Sequence, residues 1–189
     1  MVTAAHYCYT KHMHKTTSGF TIVELLLVVV VIAILAALSI TAFSGIRQRS
    51  RDSLRKQDLQ SLAKAISLYN IDNGNYISTG SGCGYSNNGE GWVSEPSYTR
   101  SIIDCLQDNG YIQKNIIDPS GCSTNTAACG TPTPAYMKVN CTSGGTAYTY
   151  VLARMESTSM AQPADLNTTN CTYAGWWATY GMNYAVRVN

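Results

Sequence analysis

The sequence predicts an α+β protein, in which a long N-terminal helix packs on a small antiparallel β-sheet head that disulfides brace. Three observations lead to this fold class. An apolar segment near the N-terminus passes directly into an amphipathic one, in which the helical pattern continues. Short runs of β-branched and aromatic residues, separated by turn residues, follow in the C-terminal half. Six cysteines lie beyond residue 80 of the 189 residues, a length that suits one domain and an extension.

The apolar segment extends from Phe20 to Phe43 and contains 24 residues with one charged side chain, Glu24. At about 1.5 Å per residue, a helix of this length spans roughly 36 Å, more than the ~30 Å hydrocarbon core of a bilayer. In lipid the backbone must satisfy its own hydrogen bonds, so even a β-branched run forms a helix. We therefore predict a membrane-spanning helix, in which an ionised carboxylate is costly unless it has a partner.

The helix is predicted to continue as an amphipathic segment over residues 44–73. Apolar residues recur at helical spacing and form a narrow stripe, so this half packs on the head while its other face meets solvent. Asn73 and Gly74 are typical of a helix end. The result is one helix of about 50 residues. The stripe consists of Leu59, Leu62, Ala63, Ile66 and Tyr69.

The remainder of the chain predicts the head. Residues 97–112 predict a short amphipathic helix that ends at Asn109-Gly110. A hairpin is predicted from Tyr136–Cys141 and Tyr148–Met155, and residues 171–188 add one or two strands. The aromatic residues, Trp92, Trp176, Trp177 and ten tyrosines, are expected mostly in the core and strands, with an adhesive surface as the alternative.

The cysteines indicate an oxidising compartment, because an even number downstream of a membrane segment is typical of disulfides. Free buried thiols are the alternative, and zinc is disfavoured because no C-x-x-C pair occurs. Six cysteines allow 15 pairings. Order along the chain favours Cys83 with Cys105 and does not choose among the rest. The candidates are Cys83, Cys105, Cys122, Cys129, Cys141 and Cys171.

Several function classes are excluded by composition. All three histidines precede Gly19, so removal of that weakly basic leader would leave no histidine for a nucleophile pair or a zinc site. The chain has no P-loop and no G-x-S-x-G. We therefore assign no catalytic residue, metal or cofactor and do not expect an enzyme. Beyond residue 74 there are five basic and seven acidic residues, which argues against a nucleic-acid-binding face.

The stretch SGFTIVELLLVVVVIAILAAL resembles the N-terminus of type IV pilins and related pseudopilins. That family has a basic leader ending in Gly, then Phe, then a carboxylate four residues on, then a long apolar run; here these are Gly19, Phe20 and Glu24. The resemblance implies that an aspartyl prepilin peptidase cleaves between Gly19 and Phe20 and that the new N-terminal Phe20 is methylated. It extends more loosely over residues 68–76, 111–119 and 147–156.

The resemblance also implies a domain organisation. Residues 1–19 would be a prepilin leader, 20–43 the transmembrane and filament-core helix, 44–73 its amphipathic continuation, and 74–189 the pilin head. Whether translation starts at Met1 or Met13 stays open. The calcium site of major pseudopilins is not expected here, because no Asp or Glu follows Asp165.

The expected function is that of a type IV pilus subunit, for adhesion, twitching motility or DNA uptake, with a pseudopilin of type II secretion as the alternative. Expected partners are copies of itself and other pilins, the prepilin peptidase, and the assembly platform with its ATPase. The chain would cross the cytoplasmic membrane once, with its head outside, and later enter a surface filament. An ordinary signal peptide or signal anchor explains the apolar run but not Gly-Phe-x-x-x-Glu.

The resemblance suggests roles for two groups of charged residues, one at each end of the apolar run. Cleavage would create an amine at Phe20, and its pairing with Glu24 of an adjacent subunit would set the axial register of assembly. Basic residues after the apolar run are expected to solvate the helix as it leaves the membrane and to meet acids of neighbouring subunits. Binding of anionic lipid headgroups is the alternative. These basic residues are Arg47, Arg49, Arg51, Arg55 and Lys56.

Overall fold

A single helix, α1, extends over Ile22–Asn73 and contains 52 residues, which confirms the prediction of one long helix. The computed structural model describes residues 19–124, 126–130, 134–143, 145–157, 171, 175 and 179–188, with the backbone alone at 40–42, 127 and 143. Two compact units, Met1–Phe43 and Ser44–Asn189, divide the chain. The leader before Gly19, Trp176 and Trp177 lie outside the described residues.

The first unit consists, in its described part, of the apolar half of α1. Every side chain from Phe20 to Ser39 is exposed, and so is Phe43. Among the described residues, α1 alone has the length and the apolar composition needed to cross a bilayer. Such a surface is unfavourable in water, since exposed apolar area carries a free-energy cost of about 25 cal/mol per Å².

The second unit contains a four-stranded antiparallel sheet in the order β1-β2-β3-β4. The strands are β1 Gly91–Trp92, β2 Met137–Ser143, β3 Thr146–Ala153 and β4 Tyr184–Val188. The predicted hairpin is therefore present as β2 and β3, with Val139 opposite Tyr150. One strand, β4, is described in the predicted C-terminal strand region and pairs with β3.

The sheet separates two apolar cores, because alternate residues of β3 point to opposite faces. On one face, Val151 and Ala153 join the helical stripe of α1 and the helix α2, Ile102–Asp108. On the other face, Tyr150 and Leu152 pack with residues of the other strands. Of the predicted stripe on α1, Leu59, Leu62, Ala63 and Ile66 are buried and Tyr69 is half-buried. The stripe is thus the surface on which the head is built.

Helix α2 starts at a capping box that Ser101 and Asp104 form. The Ser101 hydroxyl accepts a hydrogen bond from the backbone N–H of Asp104, and the Asp104 carboxylate accepts one from the backbone N–H of Ser101. Both satisfy donors that a helix start leaves unpaired. The C-cap is Asn109, so the predicted end of this helix is confirmed.

Three disulfides link the six cysteines of the head. The first disulfide joins Cys83 to Cys105 and ties the 74–91 loop to α2. The second closes a short loop and the third joins β2 to residue 171; they pair Cys122 with Cys129 and Cys141 with Cys171. The first pair is the one that the order along the chain favours. Free thiols are excluded for all six residues.

Candidate processing and assembly segment

Gly19, Phe20 and Thr21 form the non-helical segment immediately before α1. Phe20 is 83% exposed, so its side chain packs on nothing among the described residues. Glu24 lies in the first helical turn, where it is exposed as well. The three residues of the predicted motif, Gly19, Phe20 and Glu24, are thus close together at one helix end.

The Glu24 carboxylate takes part in a capping box with Thr21. Its Oε2 accepts a hydrogen bond of 2.9 Å from the Thr21 backbone N–H and one of 2.8 Å from the Thr21 hydroxyl. The backbone N–H of Glu24 in turn donates to Thr21 Oγ1 at 3.3 Å. The arrangement explains why α1 begins at Ile22 rather than at the expected Phe20.

Sequence reasoning assigned Glu24 to an intermolecular charge pair and missed this cap. The T-x-x-E spacing of Thr21 and Glu24 could have revealed it, since Ser/Thr followed three residues later by Glu is the sequence pattern of a capping box. In hydrocarbon the cap matters more than in water, because no solvent is there to satisfy the first N–H groups of the helix. Glu24 therefore has a local partner within its own chain.

A buried ion network surrounds Arg55 on the second half of α1. The Arg55 guanidinium donates two hydrogen bonds to Asp118, from Nε at 2.6 Å and from Nη2 at 3.1 Å. Its Nη1 donates to Asp52 and to Glu156, each at 2.9 Å. The Arg55 side chain is 1% exposed and that of Asp118 is not exposed at all. Arg51, which is less buried, also pairs with Glu156.

The charges of this network hold one another in their ionised forms. Burial alone would lower the pKa of Arg55, but its bonds to Asp118, Glu156 and Asp52 raise that pKa above its ordinary value. Burial would likewise raise the pKa of Asp52, yet hydrogen bonds from Glu156, Ser157 and Arg55 lower it overall. The hydrogen bond from Arg51 leads the interactions that lower the pKa of Glu156. These contacts therefore stabilise the charged forms of Arg55, Asp52 and Glu156 inside the folded head.

This geometry corrects the interpretation of the basic cluster that follows the apolar run. Arg55 is buried and bonded within its own head, so it neither solvates the helix nor meets a lipid headgroup. Arg51 is committed to Glu156 of the same chain. Arg47 and Arg49 are exposed, as the expectation required, and Lys56 is half-exposed with its ammonium 5.8 Å from the centre of the Tyr184 ring. The sequence did not reveal which arginines are internal, because two of their partners, Asp118 and Glu156, lie far along the chain.

A second buried cation, Lys138 on β2, ties the 74–91 loop to the sheet. Its Nζ donates to the carbonyl of Ile77 at 3.0 Å, to that of Gly89 at 2.6 Å, and to Asn140 Oδ1 at 2.6 Å. Burial lowers the pKa of the Lys138 ammonium to about 7, and the charge of Glu90 opposes that shift. All three ammonium protons have acceptors, as a fully buried ammonium requires.

Several aromatic residues of the head lie in its interior. Trp92 is buried and meets the Tyr180 ring edge-on, with a centroid distance of 4.9 Å. Tyr136 and Tyr150 are buried in the two cores. The expectation that these residues serve mainly as core is confirmed for these positions, and it is untested for Trp176 and Trp177.

Comparisons with known proteins agree with the resemblance that the N-terminal segment shows to pilins and pseudopilins. The profile of the Prokaryotic N-terminal methylation motif matches residues 14–40. Type II secretion system core protein G of Pseudomonas aeruginosa is 32% identical over 120 residues, which cover 64% of this chain and 80% of that protein. The corresponding protein of Aeromonas hydrophila is 31% identical over 107 residues, covering 57% and 70% of the two chains.

A pilus protein matches over a shorter range. The type IV wide pilus major component PilA4 of Thermus thermophilus is 39% identical over 64 residues, which cover 34% of this chain and 49% of that protein. No solved structure matches this chain.

These findings define a structural subunit with an apolar N-terminal helix and an α+β head. The chain belongs to the family of type IV pilins and type II secretion pseudopilins. Members of this family are structural proteins and not enzymes. Membership implies assembly into filaments with other pilin-like subunits by a pilus or secretion machinery.

Proposed function

We propose that this chain is a type IV pilin, made as a prepilin, held in the cytoplasmic membrane, cleaved after Gly19 and polymerised into a surface filament. The observation that carries the proposal is the exposure of every side chain from Phe20 to Ser39. The described part of the head has two apolar cores that are built without residues of this surface. Such a surface must be buried away from water, in lipid before assembly and against the same helix of other subunits in the filament.

In this proposal, Glu24 sets the register of the growing filament. Cleavage creates a cationic amine at Phe20, at the same end of the apolar helix as the carboxylate. An incoming subunit whose amine meets Glu24 of a neighbour would neutralise both charges in an apolar bundle, whereas a subunit out of register would leave both unpaired. Thr21 remains after cleavage, so the cap and the charge pair can operate together.

The second candidate function, a pseudopilin of a type II secretion system, has a specific observation in its favour. Similarity to the secretion protein of Pseudomonas aeruginosa covers 120 residues, whereas similarity to the Thermus thermophilus pilin covers 64. Electron microscopy of the producing cells, with an antibody against the head, separates the two candidates. Long surface filaments that bind the antibody support the pilin, and their absence in cells that contain the mature chain supports the pseudopilin.

Mass spectrometry of the mature N-terminus tests the class of processing. We expect a chain that begins at Phe20 and carries one additional methyl group. A chain that begins after Ala37 or Ala42 would show cleavage by an ordinary signal peptidase and would overturn the proposal.

The role of Glu24 is tested by a pair of substitutions that separate its charge from its cap. Glu24→Gln can still complete a capping box but has no charge, whereas Thr21→Ala removes the capping hydroxyl and keeps the charge. We expect membrane insertion in both variants, loss of normal assembly in Glu24→Gln, and assembly in Thr21→Ala. Normal assembly of Glu24→Gln would show that the charge pair does not set the register. Glu24→Val, which loses both functions, is the positive control.

A further inference from the structure

A polar pocket of about 470 Å³ lies in the head between the end of α1, the 74–91 loop and strands β2 and β3. This volume lies within the range of small-molecule sites, roughly 300–1,000 Å³. The pocket lies entirely within the second unit. The predicted assembly segment contributes nothing to it.

Most of the described residues that line the pocket are uncharged and polar. They include four asparagines, three hydroxyl residues and two tyrosines, and Glu90 is the one charged residue among the described lining residues. Asn70, Thr79, Asn88 and Thr142 make no side-chain hydrogen bond within the described part of the chain, so their donors and acceptors are available to a ligand. An amide presents both donors and an acceptor, and a hydroxyl presents one of each kind.

The contacts of Lys138 restrain residues that line the pocket. Its ammonium donates to the carbonyls of Ile77 and Gly89, which are chain neighbours of the lining residues Ser78 and Asn88, and its third proton goes to Asn140. Glu90, which is 2% exposed, accepts a hydrogen bond of 2.8 Å from the backbone N–H of Asn140. A site whose polar groups are fixed before binding loses less entropy when a ligand arrives.

We propose that this pocket binds a neutral saccharide. Adjacent hydroxyl groups of a sugar match a lining of amides and hydroxyls that both donate and accept. The C–H face of a sugar ring matches the ring of Tyr76, which also lines the pocket. The described lining residues include no cation for a phosphate, and the ammonium of Lys138 donates to three acceptors. No large aliphatic side chain is among the described lining residues, which makes the pocket unsuitable for a lipid tail.

The proposal goes beyond assembly and is tested on the full-length chain in lauryldimethylamine oxide micelles, a detergent without a sugar headgroup. Saturation-transfer NMR is recorded with glucose, galactose, N-acetylglucosamine and cellobiose, with glycerol as a small polyol control. The variants Asn88→Ala and Thr142→Val each remove one available polar group. Asn115→Ala changes an exposed asparagine outside the pocket and is the matched control.

We expect saturation transfer to at least one of the four sugars and none to glycerol. Loss of one hydrogen bond predicts a Kd about fivefold higher in Asn88→Ala and in Thr142→Val, with no change in Asn115→Ala. If Asn88→Ala does not fold, Thr142→Val decides alone, because valine has the shape of threonine and suits a strand. Absence of transfer to all four sugars overturns the proposal, as does equal transfer in pocket and control variants. Self-association that the pocket variants abolish would assign the pocket to a second copy instead.

Discussion

Replacement of Arg55 by methionine is predicted to destabilise the head severely. Methionine has a similar length and high helix propensity, so the substitution changes the charge while leaving the backbone of α1 unstrained. The four hydrogen bonds that the guanidinium donates are lost. The carboxylates of Asp118 and Asp52, 0% and 3% exposed, then remain buried without their cation.

The size of the effect follows from what remains around each carboxylate. Removal of one partner from a buried ion pair costs about 3–5 kcal/mol. Asp52 keeps hydrogen bonds from the backbone of Glu156 and from Ser157, and Asp118 keeps two from Ser120. We therefore expect a loss at the lower end, about 3 kcal/mol, from a domain stability of about 5–15 kcal/mol.

Urea unfolding of the full chain in micelles measures this loss through fluorescence, to which the buried Trp92 contributes. Arg49→Met is the matched control, because Arg49 is exposed on the same helix, and its free energy of unfolding should change by less than about 0.5 kcal/mol. The double variant Arg55→Met/Asp118→Leu should recover at least about 1 kcal/mol relative to Arg55→Met. A loss below about 1 kcal/mol in Arg55→Met, or simple additivity in the double variant, would refute the reasoning.

Three further predictions concern the stability of the head. Asp52 and Glu156 have pKa values below their ordinary 3.8 and 4.5, so on acidification the unfolded chain takes up protons before the folded chain does. The stability that the two carboxylates contribute is therefore complete above about pH 5 and falls with further acidification, which urea midpoints measured at several pH values will show. Gly89→Ala should cost more than about 3 kcal/mol, because Gly89 has φ +67° and its Cβ would lie 1.8 Å from a backbone oxygen, whereas Gly74→Ala, at φ +70° with nothing within 4 Å, should cost only about 1 kcal/mol in thermal unfolding. Replacement of both cysteines of the first disulfide, which are 22 residues apart, by alanine should cost about 3 kcal/mol in urea.

Each of these predictions has an outcome that contradicts it. Equal urea midpoints at about pH 5.5 and about pH 3 would show that the two carboxylates are not stabilised in the folded head. Similar melting temperatures for Gly89→Ala and Gly74→Ala would mean that the close approach at Gly89 relaxes without cost. If the variant with both cysteines replaced by alanine unfolds at the same urea concentration as the native protein, the first disulfide does not stabilise the head.

Local patterns predicted most of the fold correctly. The apolar run, the stripe from Leu59 to Tyr69 and the Asn73-Gly74 end predicted α1 to within two residues, because a helix is determined by neighbours three and four positions apart. The hairpin was found from alternation and a glycine turn, although its strands are β2 and β3 with somewhat different bounds. Even the missed cap of Glu24 was present locally, three residues from Thr21.

The long-range contacts of the head could not be predicted from local sequence patterns. The predicted basic cluster contains five similar residues, and nothing near them in sequence distinguishes Arg55, which is buried, from Arg49, which is exposed. The partner Asp118 is 63 positions from Arg55, and Glu156 is 105 positions from Arg51. The Lys138 contacts and the polar pocket likewise depend on a loop that returns to the sheet.

By itself, the sequence determined that this protein has an apolar N-terminal helix with one carboxylate and a cysteine-rich head, and it predicted a processing motif at Gly19 and Phe20. These features depend on composition and on spacings of a few residues, which survive without knowledge of the fold. The tertiary structure alone decided which arginines are internal, how the remaining cysteines pair, and where a pocket forms. Those outcomes depend on burial and on contacts between residues that are far apart in the sequence. An arginine reads the same in the sequence whether its side chain faces water or is buried against a carboxylate.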